Sequence, residues 1–364
     1  MFTVMAIAAA GPFLLSAVLT YLVRGGSRRV GFIDQPGGHK QHTRTLAMGG
    51  GIAIIVAIVV PIMAGTLLAR SLQGQLLPEW LPGALAIHLD GIASKSSAVL
   101  GILGCAVFLS ILGLWDDKRP LGPWPKLLAQ VAVAAFTTIF LGIRVMELLP
   151  IPFSILATIL WILVITNAFN FLDNMDGLSV GVAIIAAAIF AVAAMRAGQV
   201  FVPALAWVMV GSLLGFLIFN FPPATIIMGD AGSLPVGYLM SVLTILTTYY
   251  DPDHGLTPWG LLTPFVVLAV PLYDICSVVT VRLRAGDSPF RGDNRHFSHR
   301  LVKKGLSRRG AVLTIYLATA ATALPAIHLP QLDWTGAAIT LLQCLCVVTM
   351  IAILEHQPKR GTEN

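Results

Sequence analysis

Pro150-Ile-Pro-Phe-Ser-Ile-Leu-Ala-Thr-Ile-Leu-Trp-Ile-Leu-Val-Ile-Thr166 runs directly into Asn167-Ala-Phe-Asn-Phe-Leu-Asp-Asn-Met-Asp-Gly-Leu178. The first part carries no charge and is long enough to cross a bilayer as a helix. The second spaces Asn167, Asn170, Asp173 and Asp176 three residues apart, near one face of a helical turn. A polar stripe at the end of an apolar span is costly unless partners satisfy it. This pairing of an oily span with a carboxylate-bearing end recurs along the chain.

The 364 residues are 57% hydrophobic and 11% charged, with mean hydropathy +0.85. A soluble domain carries about 25% charge. The chain therefore reads as an all-α polytopic integral membrane protein. Eleven spans are expected, at 2–23, 47–69, 97–114, 127–143, 150–166, 179–195, 201–219, 234–249, 259–281, 310–328 and 336–354. Residues 1–355 form one transmembrane domain, with loops 24–46, 115–126, 167–178, 220–233 and 282–309 on one face. Residues 356–364 form a short tail on that same face.

No basic residue precedes the first run, whereas Arg24, Arg28 and Arg29 follow it, so it reads as a retained span and not a cleaved signal. Of 23 Lys and Arg, only Arg70, Lys95, Arg144 and Arg196 fall opposite the five loops. Basic residues near span ends stay in the cytoplasm. The N-terminus is then outside, and the loops and C-terminus are cytoplasmic. The net charge of +6 reflects topology and attraction to anionic lipid, and no nucleic-acid partner is expected. Cys105, Cys276, Cys344 and Cys346 all fall in spans and read as small buried apolar residues, with no disulfide framework.

The five loops also hold Asp34, Asp116, Asp117, Asp173, Asp176, Asp230, Asp287 and Asp293, out of 17 acidic residues. Asp116 and Asp117 are adjacent at a membrane boundary, where neighbouring carboxylates repel unless a cation relieves them. Magnesium does this with one or two carboxylates plus substrate phosphates; a solvated loop start is the plainer reading. Lys126, at the start of the next span, either snorkels or faces a phosphate.

Asp173-Asn-Met-Asp-Gly lacks the ligand alternation of an EF-hand. In Asn220-Phe-Pro-Pro-Ala-Thr-Ile-Ile-Met-Gly-Asp-Ala-Gly-Ser233, glycines surround Asp230 just before a helix. Free N–H groups at such a helix start favour phosphate, with Asp230 beside them for a metal. The plain alternative is a helix cap by Asp230 or Ser233. Arg295, His296 and His299 sit in the basic Arg282–Arg309 loop, which suits a diphosphate better than a zinc half-site. Asp274 lies inside a span and is either functional or a partner for an arginine. Lys40, His42 and Arg44, ahead of Gly49-Gly-Gly51, offer further cations to a phosphate.

In this order the segments resemble the polyprenyl-phosphate N-acetylhexosamine-1-phosphate transferases, over roughly Gly31 to Gly310. The family's paired aspartates match Asp116 and Asp117, with Lys126 and Gln130 downstream. Its Asn-x-x-Asn-x-x-Asp-x-x-Asp-Gly string matches Asn167, Asn170, Asp173, Asp176 and Gly177, and its Met-Gly-Asp-x-Gly-Ser matches Met228 to Ser233. Two positions depart from the pattern. Asn174 stands where the family usually has glycine, and Ser298 where the N-acetylglucosamine branch usually has the middle histidine of His-x-His-His. The histidine run ending in Phe-Glu of the phospho-N-acetylmuramoyl-pentapeptide branch is absent, which favours the N-acetylglucosamine branch.

The resemblance implies transfer of a sugar 1-phosphate from a UDP-N-acetylhexosamine to a polyprenyl phosphate, with release of UMP. It implies Mg2+, or Mn2+, as cofactor. Asp116, Asp117 and Asp230 are the expected catalytic residues, and Asp230, Asp117, Asp176 and Asn170 the expected metal ligands. Lys40, His42, Lys126, Asn167, Asp173, Asn220, Gly229, Ser233, Arg295, His296 and His299 are the expected substrate contacts. The lipid bilayer is a further partner and a homodimer an open option. The rival readings are the muramoyl-pentapeptide reaction and a transporter of an anionic metabolite, which would place its binding groups near the midplane.

Overall fold

The computed structural model describes residues 2–35, 45–74, 88–145, 149–288 and 295–356. Lys40, His42 and Arg44 lie outside them. The structure is built of α-helices, with one two-stranded antiparallel ribbon, β1 (Ile33–Asp34) on β2 (Leu46–Ala47).

Each of the eleven expected spans falls on helix. The helices are α1 (Phe2–Arg29), α2 (Gly50–Leu72), the short α3 (Leu89–Ser94), α4 (Ser96–Lys118) and α5 (Pro123–Ala135), which ends in a π-helical turn at Phe136–Phe140. Then follow α6 (Ile151–Leu172), α7 (Leu178–Arg196), α8 (Phe201–Asn220), α9 (Asp230–Leu246), α10 (Thr263–Val267) and α11 (Ala269–Arg284). The chain closes with α12 (Phe297–Lys303), α13 (Arg308–Ala326) and α14 (Trp334–His356).

Among the described residues, eight helices are long and apolar enough to cross a membrane. A ninth such stretch is bent by 61° between Pro258–Val267 and Ala269–Arg284. Pro271 lacks the N–H that would bond the Val267 carbonyl, so a straight helix cannot run through this point. The central α9, with 17 residues, is shorter than a full span.

Helix α9 is enclosed from Ala231 to Thr244. Glycines on its neighbours let backbones close around it, as in other helix pairs within a bilayer. A Cβ on Gly51 of α2 would lie 2.2 Å from the Gly232 nitrogen, and one on Gly113 of α4 would lie 2.2 Å from the Asp230 carbonyl oxygen. On α9 itself, a Cβ at Gly237 would meet the Thr166 backbone of α6 at 2.8 Å. By contrast α1 and α14 leave most of their surface facing outward, as lipid-facing helices do.

The cysteine expectation needs correction. Only Cys105 is buried; Cys276 and Cys346 are exposed on the outside of the helix bundle, and Cys344 is part-exposed. Alternating apolar residues on a peripheral helix face lipid as well as protein, so an apolar span does not by itself bury its thiols.

Polar contacts join the five loops at one end of the bundle. Ala47 bridges Ile226, Arg24 donates to Thr225, Lys126 reaches Asp230, Ser298 reaches Asn174, and Arg309 donates to the Pro222 carbonyl. Helices that alternate in direction must bring every second connection to the same end.

Candidate active site

The site is organised by the start of α9. Gly229 has φ +70°, a left-handed conformation that favours glycine, and a Cβ there would lie 2.5 Å from Asp117 Oδ2. This turn aims two backbone N–H groups at Asp117: Asp230 N donates to Oδ1 at 2.9 Å and Ala231 N to Oδ2 at 3.1 Å. Gly232 and Ser233 N–H donate to the Gly229 carbonyl. The expectation of free N–H groups for a phosphate is therefore corrected. A carboxylate from α4 already caps the helix, where the helix dipole also favours it. The cap is neither Asp230 nor Ser233.

With its backbone fixed, Asp230 extends its side chain to two donors. Lys126 Nζ lies 2.6 Å from Oδ2, and Asn170 Nδ2 donates to Oδ1 at 2.8 Å. Lys126 also pairs with Asp116 Oδ2 at 3.1 Å, while Asp116 Oδ1 accepts the Leu121 N–H at 2.8 Å. The two adjacent aspartates thus diverge: Asp117 holds the start of α9, and Asp116 holds Lys126. Asn170 further donates to Ser233 Oγ at 2.8 Å, which explains why Ser233 is fully buried.

The four residues of the Asn/Asp stripe go to different partners. Asn167 donates to Gln130 Oε1 at 2.6 Å, and Asn170 to Asp230. Asp173 accepts the Gly229 N–H. Asp176 accepts the Ala224 N–H at 3.0 Å, bracing the turn that follows α8. Asn220 uses both amide atoms on backbone, accepting from Gly177 N and donating to the Ile226 carbonyl. Asp176 and Asn220 thereby shape the floor of the site, while Asp117, Asp173 and Asp230 form its carboxylate core. Asp173 retains some surface but is packed in by protein. This burial, with the charges of Asp230 and Asp117, holds its carboxyl well above the usual range. Among the described residues, no three His, Cys, Asp or Glu side chains are grouped to hold a metal ion unaided.

The histidines come from α12, which docks beside Asn174. His296 is its N-cap residue and is 5% exposed; its Nδ1 lies 2.9 Å from Asp274 Oδ2. Asp274 therefore pairs with a histidine and not with an arginine. Arg295 pairs with Asp287 at 2.7 Å. Burial and the adjacent His296 push the His299 imidazole down to about 4.

The folded His299 thus stays neutral where the unfolded one, near 6.5, takes a proton. Its contribution to stability is complete above pH 6.5 and is lost as pH falls towards 4, on the order of 3 kcal/mol. Melting curves in detergent between pH 7 and pH 4.5 are expected to show this loss, and His299→Gln to flatten it.

The two departures from the family pattern touch each other. Ser298 Oγ donates to Asn174 Oδ1 at 2.6 Å, while Asn174 Nδ2 donates to the Phe171 carbonyl at 2.7 Å. Together they tie α12 to the end of α6.

The glycosyl transferase family 4 model matches residues 99–248, which include Asp116, Asp117, Asn170, Asp173 and Asp230. A probable undecaprenyl-phosphate N-acetylglucosaminyl 1-phosphate transferase of Bacillus subtilis is 31% identical, over 82% of this chain and 78% of its own length. The chain belongs to this transferase family. A decaprenyl-phosphate N-acetylglucosaminephosphotransferase of Mycobacterium tuberculosis is also 31% identical, over 84% of this chain and 78% of its own. An undecaprenyl-phosphate alpha-N-acetylglucosaminyl 1-phosphate transferase of Escherichia coli is 25% identical over 85% and 79%.

Two elements of the candidate site carry little mark in the sequence. Gly113 lies against the Asp230 carbonyl, and Ser110 Oγ donates to the Ala231 carbonyl at 2.8 Å. The only sequence signal was a small residue one helical turn before the paired aspartates.

Proposed function

We propose that this transferase moves N-acetylglucosamine 1-phosphate from UDP-N-acetylglucosamine to a polyprenyl phosphate, releasing UMP. An oxygen of the lipid phosphate attacks the sugar-linked phosphorus, and the bond from that phosphorus to the oxygen of UMP breaks. The observation that carries this reading is the set of contacts on Asp230. One carboxylate, fixed at the start of a buried helix, meets Lys126 and Asn170 beside Asp117 and Asp173. The relatives' names supply the sugar and the lipid.

A divalent cation fits the chemistry of this donor set. Asp117, Asp173 and Asp230 are hard oxygen donors, of which Asp230 alone meets Lys126, and burial together with the charges of Asp230 and Asp117 raises the Asp173 carboxyl. Magnesium often takes only one or two carboxylates and completes its shell with water and phosphate. Asp230 and Asp117 would hold it, with Asp173 alongside. When bound it would neutralise phosphate charge and polarise the phosphoryl oxygens.

The protein's own groups do the positioning, which is most of phosphoryl-transfer catalysis. Lys126 supplies positive charge beside Asp230, and Asn170 fixes the Asp230 carboxylate plane. The lipid phosphate is largely dianionic at neutral pH, its second pKa being about 6, so the attack needs no strong base. Asp116, with both oxygens engaged by Lys126 and Leu121, acts by holding Lys126. Asp116→Asn is expected to slow transfer about 10²-fold, with no recovery as pH rises. A pH–rate profile checks this; full recovery at high pH would mean Asp116 abstracts a proton.

The charge asymmetry of the loops supports a cytoplasmic site in an eleven-span arrangement with the N-terminus outside. The polar contacts gather at one end of the bundle, unlike the midplane site of a transporter. Purified protein in nanodiscs with polyprenyl phosphate and a panel of UDP-sugars tests the reading. Lipid product is expected with UDP-N-acetylglucosamine, lost with EDTA and restored by magnesium. Product only with UDP-N-acetylmuramoyl-pentapeptide would move the enzyme to the other branch.

A further inference from the structure

Asp274 lies in α11, the second arm of the bent apolar stretch, and is fully buried, a costly place for a carboxylate unless it is satisfied. Both its oxygens are used by one short segment of chain. Oδ2 lies 2.9 Å from His296 Nδ1, and Oδ1 accepts the Phe297 N–H at 3.2 Å. The second contact satisfies an N–H in the first turn of α12, which has no partner within its own helix. The first fixes the ring. A carboxylate can only accept, so the hydrogen sits on Nδ1, and in the neutral ring Nε2 is then the acceptor.

The ring is held from other directions as well. Phe171 packs edge-on at 5.9 Å between centroids, and Arg282 lies over the far partner, with its guanidinium 5.2 Å from the Phe171 ring centre. His299 stands 6.2 Å away, ring to ring. Phe171 directly follows Asn170, which bonds Asp230, and its carbonyl accepts from Asn174, the partner of Ser298. Thus the segment 296–298 is tied at successive residues to α11 and to the end of α6. Among the described residues the His296 ring makes its one hydrogen bond through Nδ1, to Asp274.

From this geometry we infer that Asp274 is a positioning residue that locks His296 as the Nδ1–H tautomer, so that Nε2 accepts a hydrogen bond from a hydroxyl or amide of the UDP-sugar. The inference rests on the proposed transferase activity for its ligand. Of the two roles open to His296, the diphosphate or the sugar, a bare acceptor nitrogen suits a donor group of the sugar and would repel the diphosphate. Asp274 touches no substrate itself and acts through the ring.

The test is a four-enzyme cycle in nanodiscs, with UDP-N-acetylglucosamine and undecaprenyl phosphate: wild type, Asp274→Asn, His296→Gln and the double variant. Asp274→Asn is expected to lower kcat/KM about 10- to 100-fold, the scale known for partners that orient metal-bound histidines. The double variant should lose no more than His296→Gln alone, because Asp274 acts through that ring. Losses that multiply would overturn the inference. Imidazole-15N spectra of the histidine-labelled wild type supply a readout that needs no turnover. The resonances absent from His296→Gln should report a protonated Nδ1 and a bare Nε2. A protonated Nε2, with or without a hydrogen on Nδ1, overturns the inference. Absence of product from the wild type would instead defeat the transferase reading, leaving the spectra to decide the ring's tautomer.

Discussion

Asp230→Asn is expected to reduce transfer at least 10³-fold while the protein still folds. Asparagine keeps the side-chain shape, and the backbone N–H contacts to Asp117 do not depend on the changed group. The charge, however, is what Lys126 meets at 2.6 Å. Without it Lys126 retains only Asp116, and the cation expected among the carboxylates loses its central ligand. Single electrostatic donors at preorganised sites are worth about 10²–10³ in rate, and this residue orders more than one. Initial rates in nanodiscs, beside a melting curve for each protein, check both halves. An active Asp230→Asn enzyme would remove Asp230 from the reaction.

Gly113→Val is the second large effect, and it acts through packing. A Cβ at Gly113 would lie 2.2 Å from the Asp230 carbonyl oxygen and 2.5 Å from the Ala231 nitrogen. Those atoms are backbone at the capped start of α9, with no flexible side chain to yield. Overpacking costs about 1–3 kcal/mol when neighbours adjust, and a backbone obstacle puts this substitution at the upper end. Even a protein that survives must push α4 from α9, separating Asp117 from the N–H groups it caps. The variant is expected to melt earlier in detergent and to lose nearly all transfer. Gly104→Val on the same helix, where a Cβ meets nothing within 4 Å, serves as the control and should retain both.

These two positions illustrate what the sequence makes legible. Asp230 is readable because a carboxylate flanked by glycines at the end of an apolar run has few structural uses. Gly113 is not, since a glycine in an apolar helix carries no mark of which backbone it will touch. The spans themselves are legible from hydropathy, which depends on local composition. The 61° break before α11 was signalled by Pro271 but hidden by continuous apolarity on both sides. The capping of α9 by Asp117 was hidden for another reason. It joins residues more than a hundred positions apart, and the local pattern of glycines with a helix start reads equally well as a phosphate cradle. Asp274 stands out in the sequence for its cost in a membrane, but its partner is set by the docking of α12 against α11, which no local pattern carries.

The spacing from Asn167 to Asp176 predicts one polar face. In the structure it divides. Asn170 and Asp173 serve the carboxylate core, while Asn167 is bound to Gln130 and Asp176 braces the turn after α8. The stripe runs past the end of α6 at Leu172, so its last two members leave the helical repeat that had aligned them.

The central claim is that a phosphosugar, and not a sugar alone, passes to the lipid. UDP-N-acetylglucosamine labelled with 32P in the sugar-linked phosphate decides it, with purified protein, undecaprenyl phosphate and magnesium in nanodiscs. Label in the lipid fraction with one UMP released per lipid product is the predicted result. Label retained in UDP, with the lipid carrying sugar only, would contradict the account.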